Sequence, residues 1–406
     1  MLSTNILLLI PNLDFGGAQR SLLQLSNELA KHHQVYICVF NTETGVNYQF
    51  NQPIIDLKVP AGSNWFMKLY RFFQRYQRIR RLKRDRSIQV TISYLEGANY
   101  LNVLTRVADK VVLSVRGSKL HDETIRGVYK NLRLKVLIPN LYKKAHAIVA
   151  LNQGIKKELV DHLGLNAYKI SVIRNFYDIQ KIKSLTQGNN AHDWQSLFGV
   201  YPVLIYSGRI AAGKGLRHIL RVYSFLVQRL PQTRLLLVGD GPYMQELESY
   251  LNTLNLTMGQ PKFGQTGLWE QYQILALGYQ DNPYYFIARS EALLIASSSE
   301  GGPNALYESM ICKTLVVSTD CPYGPRELLT DEQLEFPIRQ VHHGSKGILL
   351  PSFENGDTNA VDKQWTDTLE QVLTHPDNQS SVIENAFAWV SGQDNTRINE
   401  HWAQVI

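Results

Sequence analysis

Residues 299–308 read Ser299-Glu300-Gly301-Gly302-Pro303-Asn304-Ala305-Leu306-Tyr307-Glu308, a turn of small residues between two carboxylates. The turn follows an apolar run, Ala292–Ala296, and leads into a helix-compatible segment, Ala305–Cys312. This order predicts a buried strand, a tight turn and a helix N-terminus, where free backbone N–H groups and the helix dipole favour an anion such as phosphate. Glu300 and Glu308 suit a ligand that also carries hydroxyls, and a nucleotide sugar has both kinds of group.

A second glycine-rich loop carries two cations. Gly208-Arg209-Ile210-Ala211-Ala212-Gly213-Lys214-Gly215 separates a predicted strand, Val203–Ser207, from a predicted amphipathic helix, Leu216–Leu230. Arg209 offers a planar fork and Lys214 a compact point charge, so together they suit a diphosphate whose leaving oxygen gains charge. Either cation taken alone is more often a solvated surface residue, and the combination with residues 300–308 is what favours a binding site.

Strand, loop and helix follow one another in the same order in both halves of the chain. Asn5–Ile10 is an apolar run that leads to Gly16-Gly17, and a predicted helix, Ala18–Ala30, then precedes the next predicted strand, Val35–Phe40. This βαβ opening and its restart at Val203 predict two α/β domains, as the length of 406 residues also suggests. We expect an N-terminal domain over 1–180, a linker over 181–199, a C-terminal domain over 200–380, and helices over 381–406 that can cross back to the N-terminal domain.

Composition and charge are those of an ordinary globular protein with a basic excess. Hydrophobic residues make up 44% and charged residues 19% of the chain, and the formal net charge is +7. This charge permits attraction to anionic lipid, nucleotide or nucleic acid without choosing among them. The three cysteines, Cys38, Cys312 and Cys321, form no CxxC pair, which indicates reduced thiols and a cytoplasmic protein. No apolar run approaches the roughly 20 residues of a spanning helix, so any membrane contact is expected to be peripheral.

Residues 65–86 read WFMKLYRFFQRYQRIRRLKRDR and combine an aromatic stripe with many cations. The stripe contains Trp65, Leu69, Phe72, Phe73, Tyr76, Ile79 and Leu82, and the other sides carry Lys68, Arg71, Arg75, Arg78, Arg81 and Arg84. Such a basic amphipathic helix suits an anionic membrane surface, here the inner face of the cell membrane. An equally good interpretation is a surface helix whose aromatic face packs on its own domain. A nucleic-acid-binding helix is disfavoured because nothing else in the chain supplies a base-reading module.

Polar residues follow two further predicted strands, Ser87–Tyr94 and Lys110–Val115. They are Glu96, Asn99, Arg116, Ser118 and His121. Because α/β proteins bind ligands at the carboxyl ends of parallel strands, these residues are candidates for an acceptor pocket. Each of them taken singly is explained as well by a solvated loop.

Several metal-site and nucleophile motifs are absent from the sequence. It contains no DxD pair, P-loop, G-x-S-x-G elbow or HExxH. We therefore expect neither a metal nor another cofactor, and we expect Arg209, Lys214 and helix termini to offset the charge of a leaving diphosphate.

Several further motifs follow one another in a fixed order along the chain. They are Gly208-Arg209 with Lys214-Gly215, Gly239-Asp240-Gly241, Leu277-Gly278-Tyr279 with Asn282-Pro283, Ser299-Glu300-Gly301-Gly302-Pro303 with Glu308, and Ser318-Thr319-Asp320-Cys321-Pro322-Tyr323-Gly324-Pro325-Arg326-Glu327. This series resembles the ordered motifs of the GT-B glycosyltransferases of family 4. Gly16-Gly17-Ala18 and Asn175–Asp178 match the same family, so the resemblance spans nearly the whole chain. The run from Asp320 to Glu327 resembles the branch that makes bacterial surface polysaccharides.

The resemblance implies two Rossmann-like domains that face each other across a cleft, with the donor nucleotide held mainly by the second. It implies that Arg209 and Lys214 bind the diphosphate, that Glu300 contacts hydroxyls of the transferred sugar, and that Glu308 accepts hydrogen bonds from the ribose. Further donor contacts are implied for Gly16, Gly17, Gly301, Gly302, Asn304 and Ala305. The implied stereochemistry is retention, by front-face attack in which the leaving diphosphate helps to take the acceptor proton.

One strand end departs from the family pattern. Many members place a His at the end of the strand that matches Lys110–Val115, where this chain reads Ser114-Val115-Arg116-Gly117. The role of that His is therefore unassigned here.

The leading hypothesis is a cytoplasmic, membrane-peripheral, retaining glycosyltransferase. It would move a hexose or N-acetylhexosamine from a UDP-sugar to a lipid-linked saccharide or a polysaccharide. One alternative is a catalytically silent nucleotide-sugar binder that serves as a partner subunit. Another is a GT-B relative with different chemistry, such as an epimerase or a phosphorylase.

Overall fold

The protein folds into two compact units. A computed structural model describes residues 3–14, 16–43, 45–46, 48–121, 127–188, 191–261, 267–331, 334, 336–354, 358–393 and 395–406. The first unit comprises Met1–Tyr177 with Asn395–Ile406, and the second comprises Asp178–Asp394.

Within the described residues, the first unit contains a parallel sheet of seven strands. They are β1 (Asn5–Ile10), β2 (Gln34–Val39), β3 (Ile54–Asp56), β4 (Val90–Tyr94), β5 (Lys110–Val115), β6 (Ala147–Ala150) and β7 (Ile170–Val172). Their order in the sheet is β3-β2-β1-β4-β5-β6-β7, with parallel neighbours. β1 is apolar throughout because both faces of the sheet are covered: Ile6, Leu8 and Ile10 enter one core, and Leu7 and Leu9 enter another.

Helices connect these strands. They are α1 (Gly17–Leu29), α2 (Trp65–Asp85), α3 (Glu96–Leu104), α4 (Gly127–Leu132), α5 (Ile138–Tyr142) and α6 (Gln153–Asp161). A π-helical stretch, Arg133–Leu137, joins α4 to α5, and a 3-10 turn, Ala167–Lys169, precedes β7.

The apolar residues of α2 have two different environments. Phe72, Tyr76, Ile79 and Leu82, mainly in its second half, pack on the core that includes Leu7 and Leu9. The first half exposes a group that we call the aromatic patch: Trp65, Phe66, Leu69, Tyr70 and Phe73. Ile79 is 0% exposed, whereas Trp65 and Phe66 are 64% and 66% exposed. Packing on the domain core therefore explains only the second half of the predicted stripe.

Three basic residues of α2 attach the helix to its own unit. Arg75 and Arg78 donate hydrogen bonds to backbone carbonyls within residues 57–60. Lys83 is buried, and its Nζ lies 2.8 Å from Asp109 Oδ2. Because a buried charge is costly without a partner, this ion pair fixes the end of α2 against the sheet.

In the described part of the chain, the second unit contains a sheet of eight strands. They are β8 (Val203–Ser207), β9 (Arg234–Val238), β10 (Met258–Gly259), β11 (Ile274–Gly278), β12 (Ala292–Ile295), β13 (Leu315–Thr319), β14 (His342–Gly344) and β15 (Gly347–Leu350). Their order is β10-β11-β9-β8-β12-β13-β15-β14, and all neighbours are parallel except β14 and β15.

The second unit also contains a series of helices. They are α7 (Ile179–Leu185), α8 (Ala191–Phe198), α9 (Leu216–Arg229), α10 (Met244–Thr253), α11 (Leu268–Gln271), α12 (Tyr284–Ile287), α13 (Asn304–Ile311), α14 (Gly324–Leu329), α15 (Thr358–Thr374) and α16 (Ser380–Ser391). The two parallel-sheet α/β domains that the sequence predicts are confirmed.

The segment 181–199, predicted as a linker without periodicity, differs from that prediction. Except for residues 189–190, which lie outside the described residues, it is largely formed by α7 and α8 and groups with the second unit. The two helices bury Ile182, Trp194 and Leu197. Because two short helices contain so few apolar residues, the helical spacing of these residues cannot be recognised in the sequence.

The predicted C-terminal helices, 381–406, divide between the units. α16 groups with the second unit, whereas α17 (Asn395–Val405) groups with the first. Ile398, Trp402 and Val405 of α17 enter the core that contains Ile6, Leu8 and Ile10. Among the helices in the described residues, none combines the length and apolar character needed to span a membrane.

Candidate active site

The two loops predicted to bind a ligand meet at one edge of the second sheet. β8 has β9 on one side and β12 on the other, so the direction in which successive strands are added reverses beside β8. In α/β folds the carboxyl ends of the strands at such a reversal form the usual ligand site. Here β8 leads into Gly208–Gly215, and β12 leads into Ser297–Glu300.

Gly215 allows these loops to pack against each other. Its φ is 67°, and a Cβ at this position would lie 2.0 Å from the carbonyl oxygen of Ala296. Only glycine combines the left-handed backbone with so close an approach. The backbone N–H of Ser298 also donates to the carbonyl of Gly213 at 3.2 Å. The loop after β12 therefore runs directly beside the loop after β8.

This packing brings Lys214 against Glu300. Lys214 Nζ lies 2.6 Å from Glu300 Oε1, and Ser297 Oγ donates to the same oxygen at 2.7 Å. Burial alone would lower the pKa of the Lys214 ammonium, but the adjacent Glu300 carboxylate outweighs burial and raises the pKa. The Lys214 side chain keeps 36% of its surface exposed, so the pair is accessible to a ligand from solvent.

Arg209 lies on the same loop and is exposed. Its carbonyl accepts a hydrogen bond of 2.7 Å from the hydroxyl of Tyr206, and the pKa of this tyrosine is raised by burial and then by Glu300. The Arg209 charge opposes the rise in the pKa of Lys214. The structure thus places Lys214 in contact with Glu300 and Arg209 within electrostatic range of Lys214, while the roles of all three toward a donor stay predictions.

The small-residue turn ends where α13 begins. Asn304 is the first helical residue and Ala305 follows it, while Pro303 precedes the helix with extended backbone instead of occupying its first turn. Gly301 is buried and Gly302 is partly exposed. The first backbone N–H groups of a helix have no partner within it, so this turn presents donors of the kind that bind anions.

The two carboxylates that flank the turn differ in environment. The backbone of Glu300 pairs with Tyr323, and its carbonyl accepts from the N–H of Gly324 at 3.1 Å. This bridge fixes Glu300 at the mouth of the turn. Glu308 lies inside α13 and is 2% exposed.

Sequence analysis did not identify the residues that hold Glu300. They are Ser297, whose hydroxyl donates to the Glu300 carboxylate, and Tyr323, which pairs with the Glu300 backbone. The run Ser297-Ser298-Ser299 directly before Glu300 was the available signal, because closely spaced hydroxyls can donate to a nearby carboxylate.

The first sheet has its own reversal between β1 and β4. Gly16 and Gly17 follow β1, and α1 begins at Gly17. The hydroxyl of Tyr48 lies 3.3 Å from both the backbone nitrogen and the carbonyl oxygen of Gly16. Glu96, the first residue of α3, follows β4. Both predicted positions therefore lie at the carboxyl ends of neighbouring strands.

Glu96 is the centre of a largely buried charge cluster. Its Oε1 lies 2.6 Å from Lys119 Nζ and 3.6 Å from Arg133 Nη2, and it accepts from the Tyr142 hydroxyl at 2.9 Å. Burial alone would raise the pKa of Glu96, but Lys119 and Arg133 outweigh it and lower the pKa. Lys119 and Arg133 were not predicted, because residues 23 and 37 positions from Glu96 give no local pattern.

Asn99 has an internal position. It is 0% exposed, accepts from Ser93 Oγ at 2.8 Å and donates to the Tyr142 hydroxyl at 2.9 Å. The solvated-loop interpretation of Asn99 is wrong, and its side chain instead positions Tyr142 beside Glu96.

Arg116 links three elements of the first unit. Its guanidinium donates to Ser21 Oγ at 2.6 Å and to Asn175 Oδ1, and it stacks on the Tyr94 ring at 5.0 Å. These contacts join the ends of β4 and β5 to α1 and to the segment after β7. Arg116 therefore braces the carboxyl edge of the first sheet.

Ser118 and His121 form a second polar group around Glu158. The buried Glu158 carboxylate accepts from Ser118 Oγ at 2.5 Å and from the backbone N–H of Lys119 at 2.6 Å. Ser118 Oγ and His121 Nδ1 lie 3.0 Å apart. Burial lowers the pKa of His121, although Glu158 opposes this shift. Among the described residues, no group of three His, Cys, Asp or Glu side chains is arranged to hold a metal ion.

Family models match both halves of the chain. The model described as Glycosyl transferases group 1 matches residues 201–352, and the model described as Glycosyltransferase Family 4 matches residues 15–181. The chain belongs to these glycosyltransferases. The matched ranges of this glycosyltransferase include Gly16 and Glu96 in the first unit, and Arg209, Lys214 and Glu300 in the second.

Relatives resemble the glycosyltransferase over 45% to 80% of its length. One from Campylobacter jejuni is N-acetylgalactosamine-N,N'-diacetylbacillosaminyl-diphospho-undecaprenol 4-alpha-N-acetylgalactosaminyltransferase, 26% identical over 80% of this chain and 83% of its own. An uncharacterized glycosyltransferase from Methanocaldococcus jannaschii is also 26% identical, over 70% of this chain and 68% of its own. The lipopolysaccharide 1,6-galactosyltransferase of Salmonella typhimurium is 24% identical over 45% of each chain.

Solved structures show the fold of this glycosyltransferase. Anabaena HepE, solved in complex with UDP, has a TM-score of 0.71 at 19% identity and covers 99% of both chains. WaaG, described as a glycosyltransferase involved in lipopolysaccharide biosynthesis, has a TM-score of 0.70 at 14% identity, again over 99% of both chains. The predicted GT-B fold is thereby confirmed.

Proposed function

We propose that this glycosyltransferase moves a hexose or an N-acetylhexosamine from a UDP-sugar to a lipid-linked saccharide or a polysaccharide, with retention of configuration. The observation that carries the proposal is the ion pair between Lys214 and Glu300, 2.6 Å long, at the strand reversal of the second sheet. A nucleotide sugar needs a cation for its diphosphate and an acceptor for its sugar hydroxyls. The ion pair supplies both in one place.

The names of relatives support this class of substrates. The Campylobacter jejuni relative is named for a diphospho-undecaprenol saccharide, and the Salmonella typhimurium relative is named for lipopolysaccharide. Anabaena HepE has been solved with UDP and with UDP-glucose. The HepE complexes support the UDP-sugar donor, and the names of the two relatives support the lipid-linked or lipopolysaccharide acceptor.

Donor binding would exchange the partners of the ion pair. Lys214 would leave the Glu300 carboxylate for diphosphate oxygens, and Glu300 would then accept hydrogen bonds from the sugar hydroxyls. Ser297 already donates to Glu300 at 2.7 Å, so the carboxylate stays oriented during this exchange. The contact of Lys214 with the diphosphate and the contact of Glu300 with the sugar hydroxyls are therefore coupled, because each forms fully only when the other forms as well.

Transfer would proceed without a protein nucleophile. The bond between the sugar anomeric carbon and the diphosphate oxygen breaks, and the acceptor oxygen bonds to the same face of that carbon. The acceptor proton passes to the departing diphosphate. Arg209, Lys214 and the first N–H groups of α13 stabilise the charge that develops on the leaving oxygen, which is why we propose no metal.

The remaining donor contacts follow from the turn and from α13. Gly301, Gly302, Asn304 and Ala305 would offer backbone groups to the donor, and Gly16 and Gly17 would do so from the first unit. Glu308 would accept hydrogen bonds from the ribose. Glu308 has 2% of its surface exposed, so it would contact only a group inserted against α13.

We place the acceptor on the first unit and its lipid in the inner face of a membrane. Glu96 and His121 are the predicted acceptor contacts that this proposal keeps, since Asn99 and Arg116 act inside the unit. The aromatic patch on α2, with exposed Lys68 beside it, suits the interfacial region of an anionic bilayer. The enzyme would thus work as a peripheral protein on the cytoplasmic side.

A panel of UDP-sugars tests the proposal. We expect one or more UDP-hexoses or UDP-N-acetylhexosamines to raise the melting temperature, because a ligand of the folded state stabilises it. The Glu300→Ala variant should lose at least about 100-fold in transfer, as expected for a contact made to the reacting sugar. Unchanged turnover in Glu300→Ala would remove the role assigned to Glu300. Donor binding without any transfer would instead favour a catalytically silent partner subunit.

A further inference from the structure

A cavity of about 340 Å³ lies next to the loop that carries Lys214. Its walls are formed by Ala212, Gly215, Arg217, His218, Arg221, Tyr243 and Tyr250. The cavity is within the size range of small-molecule sites, which begins at roughly 300 Å³. Lys214 and Glu300 do not line this cavity, although Ala212 and Gly215 belong to the same loop as Lys214.

The basic residues of this cavity stand in an unfavourable place for cations. Arg217, His218 and Arg221 lie in the first six residues of α9, and the first turn of this helix contains no acidic residue. A helix N-terminus repels positive charge, and like charges four positions apart, as in Arg217 and Arg221, destabilise a helix. Real proteins tolerate local conflicts of this kind mainly at functional or strained sites.

Each arginine is held in a defined position. Arg221 forms a two-pronged pair with Asp362, at 2.7 Å from Nε and 2.9 Å from Nη2. Arg217 instead stacks on the Tyr250 ring, with its guanidinium carbon 4.3 Å from the ring centre. In the part of the chain that the structure describes, Arg217 forms no ion pair, so one guanidinium charge in the cavity is not offset.

His218 lies between an aromatic ring and Arg221. Its ring stacks on Phe353 with centroids 4.4 Å apart, and its Nδ1 lies 3.5 Å from Arg221 Nη2. Burial, followed by Arg221, lowers the pKa of His218, and Asp362 opposes the shift only in part. Arg217 and Arg221 carry two positive charges and Asp362 one negative charge, so these three residues leave the cavity positive on balance.

We propose that this cavity is a second ligand site that binds a small phosphomonoester, such as a sugar phosphate. The phosphate would bind Arg217, which is free to form a fork with two oxygens, and Arg221 would add its remaining N–H groups. The body of the ligand would lie against Tyr243 and Tyr250, whose rings suit the apolar face of a sugar. The site is independent of UDP-sugar chemistry.

Calorimetric titration of glucose 6-phosphate, inorganic phosphate and glucose tests the proposal. In the wild-type protein we expect glucose 6-phosphate to bind more tightly than inorganic phosphate, and glucose not to bind. Arg217→Ala should weaken binding of glucose 6-phosphate by roughly tenfold or more, because it removes a charge-assisted contact. Arg229→Ala is the matched control, since it removes one arginine charge from the exposed end of the same helix, and it should leave the affinity unchanged.

Two further experiments distinguish binding at this cavity from binding at the candidate donor site. Glucose 6-phosphate should bind Lys214→Ala as it binds the wild-type protein, and it should bind in the presence of saturating UDP. In ¹³C-histidine-labelled protein, the NMR resonance of His218 is identified by its absence from the His218→Gln variant. We expect the pKa of His218 to rise when glucose 6-phosphate is bound, because the phosphate offsets the charges of the two arginines. This experiment does not depend on any glycosyltransferase activity.

The proposal is overturned by any of three results. They are no binding of glucose 6-phosphate, equal losses in Arg217→Ala and Arg229→Ala, and loss of binding in Lys214→Ala. The last result would assign the phosphate to the loop of Lys214 instead. Failure of UDP to bind would count against the proposed function alone.

Discussion

Lys214 Nζ and Glu300 Oε1 lie 2.6 Å apart, so the cation proposed for the diphosphate is paired with the carboxylate proposed for the sugar. A diphosphate must therefore compete with Glu300 for Lys214. We expect Glu300→Gln to bind UDP up to about fivefold more tightly, because it removes a partly exposed ion pair worth up to about 1 kcal/mol. The same variant should transfer sugar at least about 100-fold more slowly. Calorimetry with UDP and a transfer assay measure the two effects, and weaker UDP binding would contradict the competition.

Lys214→Ala should lose both UDP binding and transfer, because it removes the charge itself. We expect transfer to fall by about 100-fold or more, in line with the loss of a group that stabilises a leaving oxygen. Lys313→Ala is the matched control, since Lys313 forms an exposed pair with Glu384 in the same unit. Equal activities of the two variants would refute the role of Lys214.

Gly215→Ala should destabilise the protein through a steric clash as well as through its backbone conformation. A Cβ at Gly215 would lie 2.0 Å from the carbonyl oxygen of Ala296, whereas a Cβ at Gly278, which has a similar φ of 65°, meets nothing within 4 Å. We expect the free energy of unfolding to fall by about 1 kcal/mol in Gly278→Ala and by at least about 2 kcal/mol in Gly215→Ala. Urea unfolding of both variants measures the difference, and equal losses would mean that the loop shifts to admit the methyl group.

The two halves of α2 should respond differently to substitution. Trp65→Ser combined with Phe66→Ser should weaken binding to phosphatidylserine vesicles at least about tenfold, since two exposed aromatic side chains lose their contact with lipid. The free energy of unfolding should change by less than about 0.5 kcal/mol per substitution. Ile79→Ala, in the buried half, should reduce the free energy of unfolding by about 2–5 kcal/mol without weakening vesicle binding.

Tyr168→Ser serves as the vesicle control, because Tyr168 is fully exposed outside α2. Equal vesicle binding by the wild-type protein and the double variant would exclude the aromatic patch as the membrane contact. High salt should weaken the binding that involves Lys68 and its basic neighbours.

The Glu96 cluster predicts a specific dependence of stability on pH. Because Lys119 and Arg133 outweigh burial and hold the pKa of Glu96 below its ordinary value of 4.5, the contribution of its charge is fully present above pH 4.5. It is lost as the pH falls through the lower pKa of the folded state. We expect Glu96→Gln to be less stable than the wild-type protein at neutral pH, and the difference to shrink in acid.

Urea unfolding across this pH range measures the effect. Asp85→Asn is the control, since Asp85 forms an exposed pair with Arg81 that contributes little at any pH. A difference between Glu96→Gln and the wild-type protein that stays constant in acid would mean that folding does not lower the pKa of Glu96.

The sequence predicts the strands and both donor loops well because their signals are local. Apolar runs such as Ile6–Ile10 and Ala292–Ala296 have the composition of strands buried on both faces, and glycines mark the loops that follow them. Lys214 and Glu300 were grouped because each lies in a glycine-rich loop that follows a strand. Their direct contact was not predictable, since it depends on β8 and β12 being neighbours in the sheet.

Longer-range features were beyond the reach of local patterns. The aromatic stripe of α2 has one composition throughout, so the sequence does not reveal which turns the core covers. Asn99 resembles a loop residue until α3 buries it beside Tyr142. The cations around Glu96 come from distant segments, and only the folded sheet brings Lys119 and Arg133 to it.

The path of α17 has a consequence for the order in which the protein matures. Ile398, Trp402 and Val405 complete a core whose other residues belong to the first part of the chain. A ribosome synthesises the whole second unit before these three side chains exist, at roughly 5–20 residues per second. The second unit therefore has all its residues while the core of the first still lacks three of its side chains.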